Sequence, residues 1–468
     1  MSDGVFTADV TTKPLMESVL NRSGTRNRLR EAIEKIKPEG RQVVRLEFPV
    51  DASNILSWLR NQIGMAKLYW SDRERRFEIA GVGVEQVVNG RGMAELEAAL
   101  KRMQNFSGKD RRLRYFGGMR FNDVSGADDS WSDFGFFRFH LPTFELGRRE
   151  DEYFFACNLK IDNEATPETL QKKYISLFNR LEFNTGLHTS LISRFVHRSD
   201  NPDKQGWKEN VRRALEYLRA NGLKKVVLAR NSRLEFKRAP RPETILDALR
   251  ASNPNSFLFL FEGTANHFFI GSTPERLYYR IGQQLLTEAV AGTRQRGNTP
   301  AEDQRLKNDL LRCEKDLREH DYVVQTIERV LQKFSVDIEK DTQVGILENV
   351  RVQHLLVRFK ARLQEGVSDP QILPALHPTP AVGGFPTGAA LHKISEFEQF
   401  DRGWYAGPVG WIGQDEAEFA VAIRSALIQG NTINLFSGAG LVDGSDPEAE
   451  WQELENKIAN YLKILQAE

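Results

Sequence analysis

Short runs of aromatic and β-branched residues recur along the chain and constrain its fold more than any other feature. Six of them follow one another between residues 43 and 160: VVRLEF, KLYWSD, FEIAGVGV, LRYFGGMRF, FGFFRFHLP and EYFFACNL. Such residues fit the pleated, half-buried surface of a sheet. One helical segment, residues 92–103, interrupts the series. This half therefore predicts an antiparallel sheet, and because it holds no cluster of catalytic residue types we expect it to be a scaffold.

Strand-like and helical segments alternate in the second half of the chain. KVVLAR, FLFLFEG, FFIGSTPE, WYAGPVGWIG, FAVAIRSALI and TINLFSGAGLV predict strands. One long helix is predicted from Pro300 to Phe334, with Thr299 as its N-cap and Glu302 completing a capping box. The segment LLVRFKARLQ, which follows His354, predicts a further helix.

The organisation of the chain follows from these segments. A last helix begins at Pro447 and is capped by Asp446. Two sheets with several helices predict one large α/β (α+β) unit. The polar, turn-prone segment 197–205 predicts a boundary within that unit. It separates a strand-rich half, residues 1–196, from a catalytic half, residues 197–468.

Composition excludes several classes of function. The 65 Lys and Arg residues against 64 Asp and Glu leave a net charge of +1, whereas a nucleic-acid-binding domain carries a basic patch. The N-terminus lacks the layout of a signal peptide, and the longest apolar run, residues 257–261, is far shorter than the ~20 residues of a membrane span. Cys157 and Cys313 fit no disulfide or metal pattern. We therefore expect a soluble, cytoplasmic protein without nucleic-acid or membrane partners.

Two helices carry paired carboxylates. Asp316 and Glu319 lie three residues apart and share one helix face, and Glu450 and Glu453 repeat that spacing, with Lys457 one turn further on. Together they suit a hard cation such as Mg²⁺, which keeps waters and needs few protein ligands. The spacing alone equally fits solvated faces of charged helices.

Two further groups have the character of an acid and a base. Glu275 ends the string GSTPE, where a strand stops, and a carboxylate there commonly points into a site; an exposed turn residue is the alternative. Lys224 and Lys225 open the apolar strand KVVLAR and face opposite sides. A buried lysine has a lowered pKa and can serve as a base, whereas a solvated strand edge is the alternative.

Glycines and a lone arginine indicate recognition of an anion. The segments 437–440 (SGAG) and 291–293 (AGT) allow backbone N–H groups to approach a negative charge closely. Arg424 lies in a predicted strand of small and apolar residues, where a buried guanidinium requires a carboxylate partner. His320 and His354 are the histidines near the candidate carboxylates, and no histidine is in a metal-binding spacing.

Taken together, these strings resemble the chorismate-utilising enzymes, which include isochorismate, salicylate, anthranilate and aminodeoxychorismate synthases. The matching strings are KVVLAR, FIGSTPERL, AVAGTR, KDLREH, VQHL, HPTPAVGGFP, GWYAGPVGW, AIRSAL and SGAGLVDGSDPEAEWQELENK. They occur in family order across residues 225–460. LYWSDRERRFEIAGVG and FGGMRF also resemble the N-terminal half of the family. The resemblance favours the functional interpretation of each motif.

The resemblance implies a single large fold in which two antiparallel sheets enclose the site and helices lie outside. It implies that Lys225 is the base that activates water and Glu275 the acid that protonates the departing hydroxyl. The groups that it implies for the substrate carboxylates are Tyr405, Arg424, Gly438, Ala439, Gly440 and Lys457. Those that it implies around the ring are Gly292, Thr293 and His354.

Magnesium is the cofactor that the resemblance implies. Glu319 and Glu453 match its ligands, and Asp316 and Glu450 match supporting positions that act through water. The metal would orient the ring carboxylate and neutralise its charge.

The loop at residues 377–384, HPTPAVGG, resembles the isochorismate synthase version and selects that activity, a reversible conversion of chorismate to isochorismate. A lysine base also suits water as the nucleophile. Neither cysteine lies at the sharp turn that glutamine hydrolysis requires, so no amidotransferase subunit is expected. A salicylate synthase and a chorismate-binding protein without turnover remain the alternatives. The long N-terminal half favours menaquinone biosynthesis, by resemblance, and we expect a monomer.

Overall fold

The computed structural model describes residues 21–466 except 38–41, 107–109, 124–128, 184–191, 193, 221, 265, 350 and 351. The helices in this part of the chain are α1 Arg22–Glu34, α2 Ile55–Asn61, α3 Met93–Phe106, α4 Pro167–Phe178, α5 Lys204–Ala220, α6 Pro242–Ser252, α7 Pro300–Arg312, α8 Glu314–Phe334, α9 Asp369–Leu376, α10 Thr387–Phe397 and α11 Pro447–Gln466.

The strands are β1 Gln42–Pro49, β2 Lys67–Ser71, β3 Phe77–Val82, β4 Gln86–Gly90, β5 Tyr115–Met119, β6 Phe137–Leu141, β7 Phe144–Arg149, β8 Glu152–Ile161, β9 Phe195–Asn201, β10 Lys225–Phe236, β11 Phe257–Glu262, β12 His267–Thr273, β13 Arg276–Ile281, β14 Gln284–Gln295, β15 Ser335–Lys340, β16 Gly345–Glu348, β17 Val352–Leu363, β18 Gly384–Phe385, β19 Pro408–Ile412, β20 Glu416–Val421, β21 Ser425–Gln429 and β22 Thr432–Leu441.

Two large antiparallel sheets form the frame of the molecule. The first has the order β1-β8-β7-β3-β2-β11-β12-β21-β22-β10-β18, with β9 also paired to β10. The second has the order β15-β17-β14-β13-β20-β19-β5-β6-β4, with β16 paired to β17. Both sheets contain strands from either side of residue 197, so the halves interdigitate. The predicted fold class, two antiparallel sheets with helices outside in one large unit, is confirmed.

The strand β11 shows why an uninterrupted apolar run forms a strand here. Phe257, Phe259 and Phe261 belong to a core that also contains side chains of the second sheet. Leu258 and Leu260 belong to the other core, which the outer helices cover. Because successive side chains of a strand face opposite sides, a sheet buried on both faces requires apolar residues at every position.

The predicted helix from Pro300 to Phe334 is wrong as a single element. Cys313 has extended backbone angles (φ −73°, ψ 107°) and separates α7 from α8. The break lets α8 take its own direction, with Val323, Ile327 and Leu331 buried in the core. Thr299 caps α7 as predicted, but the Glu302 carboxylate accepts from the N–H of residue 298 instead of closing a capping box.

The helix predicted for LLVRFKARLQ is also wrong, because these residues form β17. From residue 357 onward buried and exposed positions alternate, and the exposed side chains are Arg358, Lys360 and Arg362. This period of two marks a strand. The alternation is visible in the sequence. The long basic side chains have high helix propensity, however, and favour a helix when propensity is considered before periodicity.

The turn-prone segment at residues 197–205, where the sequence predicts a boundary, contains most of β9 and the start of α5. β9 pairs with β10. The predicted start of the last helix is confirmed. Asp446 Oδ1 accepts from the N–H groups of Glu448 and Ala449 and so caps α11. Cys157 and Cys313 are both free thiols. Among the described residues, no helix is long and apolar enough to cross a membrane.

Candidate active site

A cavity between the two sheets gathers most of the residues that the sequence singles out. Strands β14, β17 and β22, helices α8 and α11, and the connections around residues 274 and 424 contribute to its lining. The predicted site residues that line it are Glu275, Gly292, Thr293, Asp316, Glu319, His354, Tyr405, Arg424, Gly438, Gly440, Glu450, Glu453 and Lys457. Of the remaining two, Lys225 contacts Glu319, and the Ala439 side chain is buried in the core between two of the lining glycines.

Lys225, the first residue of β10, is the buried member of the lysine pair. Its side chain is fully buried, whereas Lys224 is exposed, as the alternation of a strand predicts. The Nζ atom lies 2.9 Å from Oε1 of Glu319. The two groups attract each other electrostatically, but Nζ makes no aligned hydrogen bond to any described residue. Through this contact Lys225 adjoins the cavity, which Glu319 lines.

Glu275 lies in the connection between β12 and β13, where the backbone is held on both sides. Its N–H donates to Oγ1 of Thr273 and its carbonyl accepts from Val421. Burial raises the pKa of the carboxyl to about 8, and the positive charge of Lys225 opposes the shift without cancelling it. Glu275 is consequently protonated at neutral pH and able to donate a proton.

The four carboxylates of α8 and α11 are paired with cations rather than solvated. Nζ of Lys457 lies 2.6 Å from Glu453, Arg294 lies 2.7 Å from Asp316, and Lys315 lies 3.2 Å from Glu450. Glu319 has Lys225 as its partner. Asp316, Glu319 and Glu450 are largely buried and Glu453 is 34% exposed, which favours a site over solvated helix faces.

The pKa values of Glu450 and Glu453 shift in opposite directions. Burial disfavours the charge of both, but Lys457 lowers the pKa of Glu453 below its ordinary value, whereas burial and the charge of Glu453 raise that of Glu450. Within the described residues, no three His, Cys, Asp or Glu side chains stand where they could jointly hold a metal ion.

Arg424 differs from its prediction in one respect. It lies in the connection between β20 and β21, not inside a strand, and has a positive φ of 52°. A non-glycine residue in this region is strained, and such strain concentrates at functional sites. Its Nη1 donates to the carbonyl of Lys457 at 3.2 Å, and no described carboxylate forms an ion pair with it. The cavity thus holds a guanidinium without an acidic partner.

Lys457, Tyr405 and β22 form the wall next to Arg424. Lys457 Nζ donates to the carbonyl of Gly438 at 2.7 Å. The ring of Tyr405 stacks on Phe436, with centroids 5.2 Å apart, and burial raises the pKa of its hydroxyl. Tyr405 therefore stays protonated and can donate a hydrogen bond.

His354 and Thr293 face each other across β17 and β14. Nδ1 of His354 lies 3.1 Å from Oγ1 of Thr293 and 3.2 Å from the carbonyl of Gly292. Burial lowers the pKa of His354 to about 3, an effect to which Arg424 adds, so the ring is neutral at physiological pH. His320 contacts the carbonyl of Ala289 and does not line the cavity.

Sequence reasoning missed several residues at the site, including two cations and an aromatic ring. Lys315 lines the cavity and Arg294 pairs with a carboxylate of its wall, but nothing in the spacing of either indicates this. Phe436 could have been found, because it shares a strand face with Gly438 and Gly440 in β22.

Comparisons with known proteins show the family of this chain. Residues 28–466 match the family described as "Chorismate binding enzyme". The chain belongs to this family. A protein named isochorismate synthase MenF from Bacillus subtilis (strain 168) is 31% identical over 422 residues, which cover 86% of this chain and 88% of that protein. Isochorismate synthase MenF from Escherichia coli (strain K12) is 32% identical over 440 residues, which cover 92% and 95% of the two chains.

A solved structure of this family is similar throughout. It is that of MenF, the menaquinone-specific isochorismate synthase from Escherichia coli, with a TM-score of 0.83 and 29% identity. The match covers 95% of this chain and 99% of that chain. The anthranilate synthase component I from Streptococcus pneumoniae matches with a TM-score of 0.62 at 18% identity, which shows a shared fold.

Two glycines of β22 leave room for the site. A Cβ atom on Gly440 would lie 2.7 Å from Oε1 of Glu319 and 3.0 Å from Cε of Lys225, and one on Gly438 would lie 2.9 Å from the hydroxyl of Tyr405. The distances of 2.7 and 2.9 Å are shorter than real Cβ contacts, so a side chain at either position would displace Glu319 or Tyr405. The pairing of Lys225 with Glu319 therefore depends on a glycine at position 440.

We expect Gly440→Ala to destabilise the protein by about 1–3 kcal/mol, the usual cost of overpacking a core. The matched control is Gly388→Ala in α10, where a Cβ would contact nothing within 4 Å. That variant should change stability by less than about 1 kcal/mol. Urea denaturation of both variants measures the difference. Equal stability of the two would contradict the close approach at Gly440.

Proposed function

We propose that this protein is an isochorismate synthase, an isomerase that converts chorismate to isochorismate and acts in menaquinone biosynthesis. The observation that carries the proposal is a cavity lined by the protonated Glu275 and by Arg424, which has no ion-pair partner among the described carboxylates, with the fully buried Lys225 beside the lining residue Glu319. A base, an acid and an anion-binding group are what this isomerisation requires. The names of the relatives described above support the same activity and pathway.

The chemistry divides between the base and the acid. As the neutral amine, Lys225 takes a proton from water while the water oxygen attacks the ring, and protonated Glu275 gives its proton to the hydroxyl that leaves another ring carbon. One water enters and one leaves, so the product is an isomer of the substrate. The raised pKa of Glu275 supplies the protonated acid at neutral pH.

The remaining groups hold a substrate with two carboxylates. Arg424 and Lys457 supply positive charge, the hydroxyl of Tyr405 donates a hydrogen bond, and the backbone of residues 438–440 offers N–H groups. Gly292, Thr293 and His354 bound the ring. A neutral His354 suits this role, since it adds no charge beside an uncharged part of the ring.

We propose Mg²⁺ as the cofactor, with Glu319 and Glu453 as direct ligands and Asp316 and Glu450 acting through water. The donor set fits, because Mg²⁺ keeps several waters and binds through one or two carboxylates. When bound, the metal supplies a positive charge that orients and neutralises a substrate carboxylate. All four carboxylates line the cavity from α8 and α11, which supports this assignment.

Two alternatives differ in what they predict. A salicylate synthase would also release pyruvate, and a binding protein would release nothing. The presence of both an acid and a base argues against pure binding. Because water is the nucleophile, our proposal includes no amidotransferase subunit. It also includes a monomer.

The proposal is tested by incubating the protein with chorismate and Mg²⁺ and separating the products by chromatography. We expect a mixture of chorismate and isochorismate, reached from either side, because the same types of bond are broken and made. Lys225→Ala should lower kcat by about 10²–10⁴-fold, the usual contribution of a general base, while chorismate still binds. Release of pyruvate in step with chorismate loss, detected with lactate dehydrogenase and NADH, would identify a salicylate synthase.

The acid gives the pH dependence a definite sign. Because the pKa of Glu275 is about 8, the proton-donating form prevails below that pH, and kcat should fall about tenfold per pH unit above it. Glu275→Gln, which has no proton to give, should lower kcat by about 10²–10⁴-fold and lose this alkaline fall. A wild-type kcat that stays constant to pH 10 would exclude Glu275 as the acid.

The metal assignment is tested by metal binding, by turnover and by the retention of secondary structure. Calorimetry should detect Mg²⁺ binding to the wild-type protein, weakened at least tenfold in Glu453→Gln, and excess EDTA should abolish turnover. Far-UV circular dichroism should be unchanged by EDTA, because a site of few ligands does not hold the fold together. Full turnover in EDTA after dialysis would exclude the magnesium assignment.

A further inference from the structure

A buried ion pair outside the proposed machinery lies directly behind the cavity. Glu398 follows the end of α10 and Arg402 lies one short connection further, and their side chains are 4% and 3% exposed. Arg402 Nε donates to Oε2 of Glu398 at 2.8 Å, and Nη2 donates to Oε1 at 2.5 Å. Burying two charges gains little stability by itself. The contacts of the pair therefore need another explanation.

The pair fills a gap at the edge of β10. Residues 225–226 of this strand pair with β18 and residues 231–236 pair with β9. Between them, the backbone groups of Val227 and Ala229 point to the same side, as alternate residues of a strand do. Arg402 Nη2 donates to the carbonyl of Val227 at 2.8 Å, and the N–H of Ala229 donates to Glu398 at 2.7 Å. Two side chains thus take the place of a strand.

The same guanidinium reaches two further parts of the cavity wall. Arg402 Nη1 donates to the carbonyl of Val382 at 3.0 Å, and the guanidinium carbon lies 5.9 Å from the ring centroid of Tyr405. Val227, Val382 and Tyr405 all line the cavity. Lys225 is two residues before Val227 on the same face of β10. One side chain therefore connects the strand of the base, the loop that faces the ring, and Tyr405.

We propose that Arg402 and Glu398 form a positioning pair that fixes the loop at Val382 and the side chain of Tyr405 relative to Lys225, and so directs bound chorismate to water attack. This inference rests on the proposed function. A planar guanidinium is required because it bonds in several fixed directions at once, which an ammonium group does not.

A loosened wall has a chemical consequence. Isochorismate that is free to fold its side chain over the ring can lose pyruvate. In that step the ether C–O bond to the side chain breaks, and the hydrogen on the ring carbon bearing the new hydroxyl moves to the methylene carbon of the side chain. Pyruvate and salicylate result, and no other reactant is needed. The wall held by Arg402 disfavours this step by keeping the ring and its side chain in one orientation.

The test is Arg402→Lys, which keeps the charge but removes the planar fork. We expect kcat to fall at least tenfold with less than a threefold change in KM, and the pyruvate released per isochorismate to rise. The matched control is Arg280→Lys. Arg280 forms an equally buried pair with Asp369, in which its Nε donates at 2.9 Å, and it does not line the cavity. We expect this control to lower the melting temperature but to keep the wild-type kcat and pyruvate share.

Melting temperatures are measured first, and all assays run well below the lowest of them. If Arg402→Lys does not fold, Glu398→Gln, which keeps the shape of the partner, takes its place with the same expected results. A wild-type kcat and pyruvate share in the folded variant would overturn the inference. So would an equal loss of kcat in Arg280→Lys, since the pair would then be merely structural.

The product of the wild-type protein, measured in the same series, separates this inference from the proposed function. Absence of isochorismate from the wild-type reaction refutes the function. The decrease of kcat in Arg402→Lys, compared with that in Arg280→Lys, tests the positioning role whichever product the wild type forms.

Discussion

A fully buried lysine requires an anion beside it whenever its amino group is protonated, and the architecture around the cavity supplies one. Lys225 has no exposed surface, and Glu319 approaches to 2.9 Å. An unpaired charge in such a place would cost several kcal/mol, on the order of 3–5. Three elements meet this requirement together: β10 turns the lysine inward, α8 brings the glutamate, and Gly440 in β22 leaves the space between them. The position of each element is constrained by the same contact.

The charge balance of the cavity is consistent with an anionic ligand. Each of the four carboxylates on α8 and α11 has a cationic neighbour, and Glu275 is neutral because its burial raises its pKa. Arg424 stands apart, since its strained backbone turns a guanidinium toward the cavity without a described carboxylate to neutralise it. A substrate carboxylate would complete the pairing.

Strand β10 connects the cavity with the surrounding frame on both of its faces. Arg230 on this strand is fully buried, lies 2.6 Å from Glu455 and stacks over Trp451 at 4.4 Å, so it holds α11 and its carboxylates against the sheet. Arg402 and Glu398 hold its edge. Buried arginines make these connections because a guanidinium bonds in several directions within a fixed plane. The strand that carries the proposed base is therefore among the most firmly held in the molecule.

The sequence by itself determined the fold class, most elements, and the identity of thirteen of the residues that line the cavity. Alternation predicted that one of Lys224 and Lys225 is buried, and helix spacing placed Asp316 with Glu319 and Glu450 with Glu453, because both signals are local. It failed where two local signals competed: basic residues hid the strand period of β17, and Cys313 gave no warning of the break before α8. Only the tertiary structure decided which lysine turns inward, and that Arg424 has a positive φ and no ion-pair partner among the described carboxylates. It also decided that Lys315 lines the cavity and that Arg294 and Arg402 contact its lining residues. These properties arise from contacts between residues up to 175 positions apart, as in the hydrogen bond from Arg402 to Val227, and burial that shifts a pKa exists only once the sheets have closed around the group.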